Sequence, residues 1–265
     1  MGFKMEILHS RIPTIRNLLL AVMCAAALSA CGPPQKPSLE KTQEMAAAGD
    51  INAQYDLGTR YQDGSGVAED LAKAAEWFQK AATQGHLQSQ KEIAWMYAKG
   101  SGIPADAAKA MEWYQKAANQ GDALAQYRLG EIYHEGWGTN KDINKAREWL
   151  EKSAIQGRVD AQYKVGLMYL QDEDFYEARE YLEKAAIQGH TDAQYHWARM
   201  LTTGKGMKKN PNNPLLAYAW AQLAATQGHK DAEKLRNSVR LSQAQRLEAQ
   251  QWAINWKRGQ TLPAN

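Results

Sequence analysis

Trp77, Trp113 and Trp149 recur at intervals of 36 residues, each inside a copied segment. The copies run Lys73-Ala74-Ala75-Glu76-Trp77-Phe78, Lys109-Ala110-Met111-Glu112-Trp113-Tyr114 and Lys145-Ala146-Arg147-Glu148-Trp149-Leu150. A fixed period of this length specifies a row of stacked small units, because one unit cannot bury its apolar face alone and shares it with its neighbours. No single unit can enclose a deep pocket, so function has to be sought on surfaces to which several units contribute.

Aligned on Ala-Gln-Tyr, five units begin at Ala53, Ser89, Ala125, Ala161 and Ala193; the fourth is 32 residues long and the fifth runs 39 residues to Ala232. Each reads as two antiparallel helices. In the first helix, Leu57 and Tyr61, Ile93 and Tyr97, Leu129 and Tyr133, and Val165 and Tyr169 stand four apart and so share a face. Gly58, Gly130 and Gly166, with Ala94 and Ala198, leave room for close helix approach. Gly-x-Gly at 64–66, 100–102, 136–138 and 204–206 stops this helix and turns the chain. Asp70, Asp106, Asp142, Asp174 and Asn213 are N-cap types for the second helix, and Pro214 follows Asn213 at a tolerated first helical position. Gln-Gly pairs at 84–85, 120–121, 156–157, 188–189 and 227–228 end it.

The tryptophans are expected to be packing between units, with Trp→Ala costing about 3–5 kcal/mol. The fourth unit departs twice: Gln171-Asp172-Glu173-Asp174 replaces the glycine turn, and Tyr181 replaces the tryptophan. Residues 38–48 read as a lone leading helix. Residues 231–257, with Leu235, Val239, Leu241, Leu247, Trp252 and Trp256, read as an amphipathic seal on the last unit, since open arrays need solubilising ends.

Over about residues 38–232 these recurring positions resemble the Sel1-like repeat family, longer relatives of tetratricopeptide repeats. The resemblance implies an all-α, right-handed α-solenoid of about five helix-turn-helix repeats with N- and C-terminal capping helices. It further implies protein partners in envelope assembly, signalling or host interaction. On this reading residues 1–30 are a signal peptide, 31–37 a lipidated cysteine and linker, 38–229 the solenoid and 230–265 capping helices and tail.

The chain start supports export. Lys4, Arg11 and Arg16 precede a charge-free run over 17–28, which falls short of the about 20 residues a membrane-spanning helix needs, so a signal peptide is expected. The run closes with Leu28-Ser29-Ala30-Cys31, which resembles the lipobox of bacterial lipoproteins. That resemblance implies cleavage before Cys31 and acylation of it; Gly32 at the next position implies the outer membrane, facing the periplasm. More than one acyl chain would make such anchoring stable, where one alone binds reversibly. Gly32-Pro33-Pro34-Gln35-Lys36-Pro37 then forms a stiff tether. Cys24 and Cys31 are the only cysteines, so the mature chain is expected to hold neither a disulfide nor a thiol nucleophile.

Beyond residue 30 the chain carries 29 bases and 28 acids, which argues against nucleic acid as a partner. The charge is divided unevenly: residues 31–204 hold 19 bases and 25 acids, and residues 205–265 hold 10 bases and 3 acids. A dipole with a basic far end follows.

Recognition is expected at variable positions on the constant scaffold. The third, sixth and tenth positions after each unit start fall on one face of the first helix, away from the packing residues. They supply the candidates Glu92, Trp95, Lys99, Arg128, Glu131, Glu135, Lys164, His196 and Arg199. Trp137, an aromatic inside a glycine turn where other units have Ser65, Ser101 or Lys205, completes the set. Trp95 and Trp137 with the basic far end also suit peptidoglycan or another polysaccharide. No catalytic residue, metal or cofactor is expected: neither His-x-x-x-His nor His-Glu-x-x-His occurs, and there is no Gly-x-Ser-x-Gly or Walker-type loop. A β-lactamase-like hydrolase is the remotest reading, because Ser38-Leu39-Glu40-Lys41 has no Ser-Asp-Asn or Lys-Thr-Gly companion.

Overall fold

The computed structural model describes residues 37–207 and 214–263, so the export segment, Cys31 and the expected cap Asn213 lie outside the described residues. Among the described residues there are thirteen helices and no strands. A leading helix α1 (Leu39–Ala47) precedes five hairpins: α2 (Ile51–Asp63) with α3 (Leu71–Thr83), α4 (Leu87–Lys99) with α5 (Ala107–Asn119), α6 (Ala123–Glu135) with α7 (Ile143–Ile155), α8 (Val159–Gln171) with α9 (Phe175–Ile187), and α10 (Thr191–Thr203) with α11 (Pro214–Thr226). Helices α12 (Lys230–Ser238) and α13 (Gln243–Asn255) follow. From α1 to α12 each helix packs on its predecessor and successor, and α13 returns to α11. The result is an all-α solenoid whose core is shared hairpin by hairpin.

Local chemistry sets the helix ends. Asp70, Asp106 and Asp142 accept the backbone N–H of Lys73, Lys109 and Lys145 at 2.9, 3.0 and 3.0 Å, which satisfies an orphan donor of the first turn. These backbone bonds, more than the same lysines' ammonium groups, hold the three carboxyls below the usual carboxylate range. Gly64, Gly100, Gly136 and Gly204 close the first helices at φ 69, 69, 75 and 70°. In the shortened fourth unit the corresponding left-handed residue is Glu173, at φ 61°.

Packing centres one residue beyond the copied tryptophans. Phe78, Leu150 and Leu182 are at most 1% exposed and Tyr114 is 6% exposed, whereas Trp77 and Trp149 are half-buried. Successive residues are turned about 100° around a helix, so the second points into the seam and the tryptophan lies beside it, although in repeat two Trp113 is also buried, at 7% exposed. The tryptophans cover its edge, each under a lysine: Lys80, Lys116 and Lys152 place their ammonium 3.8, 3.8 and 4.1 Å from the ring centroids of Trp77, Trp113 and Trp149. A side chain at Gly130 would meet Leu150 at 2.6 Å, which is why glycine stands at that crossing.

The ends are sealed as expected except at one residue. Ser38 caps α1, accepting from the Lys41 N–H at 3.3 Å, while the Lys41 ammonium pairs with Glu44 at 3.2 Å; the Ser-x-x-Lys match is a helix start. At the far end Val239 and Leu262 are buried, and the tail turns back so that Arg258 donates to the Gln188 carbonyl. Leu247 does not join this seal: it is 60% exposed, because α13 turns Ala249 and Ala253 inward.

Candidate functional site

Two first helices, the helix between them and one turn build a groove of about 450 Å³. Helix α4 supplies Trp95, Ala98 and Lys99; α5 supplies Tyr114; α6 supplies Arg128, Glu131, Ile132 and Glu135; and the turn after α6 supplies Trp137. Each of four positions here departs from its equivalents. Trp95 replaces Thr59, Glu131, Leu167 or Arg199, and Trp137 replaces Ser65, Ser101 or Lys205. Tyr114 replaces Phe78, Leu150 or Leu182, and Ala98 replaces Gln62, His134, Leu170 or Thr202. Trp95 and Trp137 add aromatic surface, Tyr114 adds a hydroxyl to the ring that Phe78 also has or a ring in place of leucine, and Ala98 removes a side chain. Trp95 is 42% exposed, while Trp137 is half-buried against the core of these repeats.

The charged groups divide into spent and free. Glu131 accepts from Tyr127, Arg128 and Lys164, each at 2.8 Å. Burial pushes its carboxyl up, but the bonds from Lys164, Tyr127 and Arg128 together outweigh this and hold it below the usual range. Burial is also the main reason the Tyr114 hydroxyl is pushed up. Lys164 comes from the next repeat, so the network ties α8 to α6. Among the described residues Lys99 and Glu135 have no ion-pair partner.

Of the ten residues singled out in the sequence, six meet in this groove: Trp95, Lys99, Arg128, Glu131, Glu135 and Trp137. Glu92 lies beside it and accepts from Gln88 at 2.8 Å. Lys164 is committed to Glu131. Arg199 lies two repeats away in a smaller depression with Phe175 and Lys205. His196 is half-buried between Tyr163 and Tyr195, at ring-centroid distances of 6.0 and 5.0 Å. Glu92, Lys164 and His196, third positions of their units, are therefore partly buried, while Arg128 at the same position is exposed.

Two recurrent side-chain devices were not evident from the sequence. A glutamine ladder runs the length of the array: Gln54, Gln90, Gln126, Gln162 and Gln194 each donate to an alanine carbonyl of the preceding helix at 3.2–3.3 Å. Each accepts in turn from Gln84, Gln120, Gln156, Gln188 or Gln227 at 2.7–2.8 Å. The second device is the capping role of the histidine that follows three of the five Gln-Gly stops. His86, His190 and His229 cap α4, α10 and α12 through Nδ1, where Asp50 and Asp122 cap α2 and α6. Among the described residues no group of three or more His, Cys, Asp or Glu is placed to hold a metal ion.

The Sel1 repeat pattern matches residues 51–86, 87–122, 123–157, 159–190 and 191–229. No curated protein matches the chain. Among solved structures it is similar to c5321, a protective antigen of uropathogenic Escherichia coli strains, with TM-score 0.70 and 29% identity over 82% of this chain and 48% of that one. It is also similar to a Sel1 repeat protein from Oxalobacter formigenes, with TM-score 0.66 and 27% identity over 90% of this chain and 96% of that one. The chain thus spans about half the length of the first and nearly all of the second. With five consecutive matches on five observed hairpins, the chain belongs to the Sel1 repeat family.

Proposed function

We propose that this protein is an exported, lipid-anchored adaptor of the cell envelope that holds a protein partner in the groove of repeats two and three. Sel1 repeat folds typically serve as protein-interaction scaffolds and are generally non-catalytic. The observation that carries the reading is the convergence of four departures from the repeat, at Trp95, Ala98, Tyr114 and Trp137, on one open groove. Packing alone does not require it, since repeat one stacks without any of them. A preformed surface of this kind binds with little ordering cost. The basic start, the apolar run and Cys31 support delivery to the outer membrane, facing the periplasm. No helix among the described residues is long and apolar enough to cross a membrane.

Affinity capture from the native envelope tests the reading. Trp95→Ala should lose the captured proteins while sedimentation with purified cell wall stays unchanged. The opposite pattern would assign the groove to peptidoglycan or another polysaccharide, which the paired tryptophans also suit. For the anchor, Cys31→Ala should abolish palmitate labelling and membrane partition; a variant that stays on the membrane would remove lipidation from the proposal.

A further inference from the structure

We infer that the groove takes an extended peptide carrying one large apolar side chain between an acidic and a basic residue, an inference that rests on the protein-binding reading above. The apolar site is a missing side chain: at Ala98 the groove opens where other units place glutamine, histidine, leucine or threonine. Trp95 and Trp137 wall that opening, and the buried ring of Tyr114 underlies it. An aromatic or long aliphatic side chain entering there meets rings on two sides and displaces water held against apolar surface.

The flanking charges follow from what the chain has already neutralised. Arg128 and Lys164 are spent on Glu131, which leaves the exposed Lys99 and Glu135 as the rim charges to be matched. The hydroxyls of a sugar would hydrogen-bond that ammonium and carboxylate but leave both charges unmatched, whereas opposite charges on a peptide replace the lost solvation and pair with them. Lys99 and Glu135 hold the same position in successive repeats, on helices α4 and α6 that both pack on α5. Helix packing distances put those axes roughly 9–18 Å apart. At about 3.3 Å per residue, the acid facing Lys99 and the base facing Glu135 are then about three to five residues apart along an extended chain.

Two fluorescein-labelled peptides test this by anisotropy, Gly-Asp-Ala-Trp-Ala-Lys-Gly and its charge-exchanged counterpart Gly-Lys-Ala-Trp-Ala-Asp-Gly. One order should bind the purified protein about ten-fold more tightly than the other, and Trp95→Ala should weaken the preferred one by about ten-fold or more. Combining Lys99→Glu with Glu135→Lys should invert the preference. These substitutions lie on the surface, and unchanged thermal melts of the variants confirm the fold. Failure of both peptides to bind, or a preference that survives the double reversal, overturns the inference even where Trp95-dependent capture of envelope proteins stands. Binding of chito-oligosaccharide that Trp95→Ala abolishes, with no peptide binding, overturns it in favour of a wall polymer. Loss of Trp95-dependent capture is a separate result that removes the adaptor reading itself.

Discussion

Repeats two and three and repeats four and five share one backbone plan but meet two of its demands with different chemistry. The first demand is a left-handed turn after each leading helix, filled by Gly100 and Gly136 in the earlier pair and by Glu173 in repeat four. The second is an acceptor for the open N–H groups at the next helix start, filled by one histidine and one aspartate in the earlier pair, His86 at α4 and Asp122 at α6, but by His190 and His229 at α10 and α12. Helix α8 begins at Arg158 with no side-chain cap at all. The repeat thus dictates geometry while leaving the means open. The means then decide where strain sits and which conditions weaken each half.

The largest contrast is in the turns. Gly102 has φ 71°, and a Cβ there would lie 2.4 Å from the Leu71 carbonyl group. Gly102→Ala adds left-handed strain of about 1–2 kcal/mol to an overpacking cost of about 1–3 kcal/mol, an expected loss of roughly 2–5 kcal/mol. Repeat four runs the other way, since Glu173 already bears the strain. Glu173→Gly should stabilise by about 0.5–1 kcal/mol once the extra backbone entropy of glycine is deducted. Urea unfolding followed by circular dichroism measures both. A destabilised Glu173→Gly protein would mean that contacts of the glutamate, and not its backbone, set the stability of that turn.

These turns were legible because a backbone conformation forces a residue type locally. Gly-x-Gly with an aspartate cap announced the first three hairpins, Gly204-x-Gly206 the fifth, and the missing glycines announced repeat four. Contacts that close over long separations were not legible in the same way. The glutamines of the ladder served as register marks in the alignment, yet their partners lie 30 residues on, or 26 across the deletion. The recurrence of two glutamines in each unit, 30 residues apart in the first three, 26 in the fourth and 33 in the fifth, was the signal available. In the groove, Trp95 and Trp137 stood out as aromatics among small or polar equivalents. Ala98 did not, since it works by what it lacks, and Tyr114 passed as an ordinary variant inside a copied segment. Glu131 and Lys164 read as free charges because the bond between them joins different repeats, 33 residues apart.

The ladder predicts a likeness between the halves where turns and caps predict a difference. Gln126→Leu removes the side-chain donor to the Ala118 carbonyl, which keeps the Gly121 N–H at 3.0 Å, and one acceptor of Gln156, which keeps the Gly121 carbonyl at 2.9 Å. Gln162→Leu removes the side-chain donor to the Ala154 carbonyl, which keeps the Gly157 N–H at 2.9 Å, and the Gln162 acceptor of Gln188. Each should cost about 1–3 kcal/mol, two hydrogen bonds at about 0.5–1.5 kcal/mol apiece. Urea midpoints that fall equally in the two variants would identify the ladder as the element common to both halves. A loss in one alone would show that the four-residue deletion uncouples it.

The remaining predicted effect is the acid response of the far end. An Nδ1 that accepts a backbone N–H belongs to a neutral imidazole, so the cap from His190 to Ala193, at 3.3 Å, is lost on protonation; His229 caps Ala232 at 3.1 Å. These two rings join His196 through Tyr163 and Tyr195, with stacked contacts of 4.2 Å from Tyr163 to His190 and 4.4 Å from Tyr195 to His229. Asp160, Asp192 and Arg199 are the charged groups around them, and Asp192 lies 3.6 Å from His229 Nε2. Burial, reinforced by Arg199, holds His196 down from 6.5 to about 4, and burial also pushes His190 down. The unfolded chain therefore takes up these protons first. Stability is complete above about pH 6.5 and drains away as pH falls toward about 4. One such histidine contributes at most about 1.4 kcal/mol per pH unit, and partial exposure reduces the His196 share to about 1–2 kcal/mol across the window. Hydrogen exchange at pH 7 and pH 5 should show protection falling in α10 to α12 while α6, capped by Asp122, is unchanged. His196→Phe keeps a ring between the two tyrosines and removes the proton site, so it should flatten much of that response. Equal loss in α6, or a His196→Phe protein as acid-sensitive as the parent, would break the link between the histidine stack and the weakness of the far end.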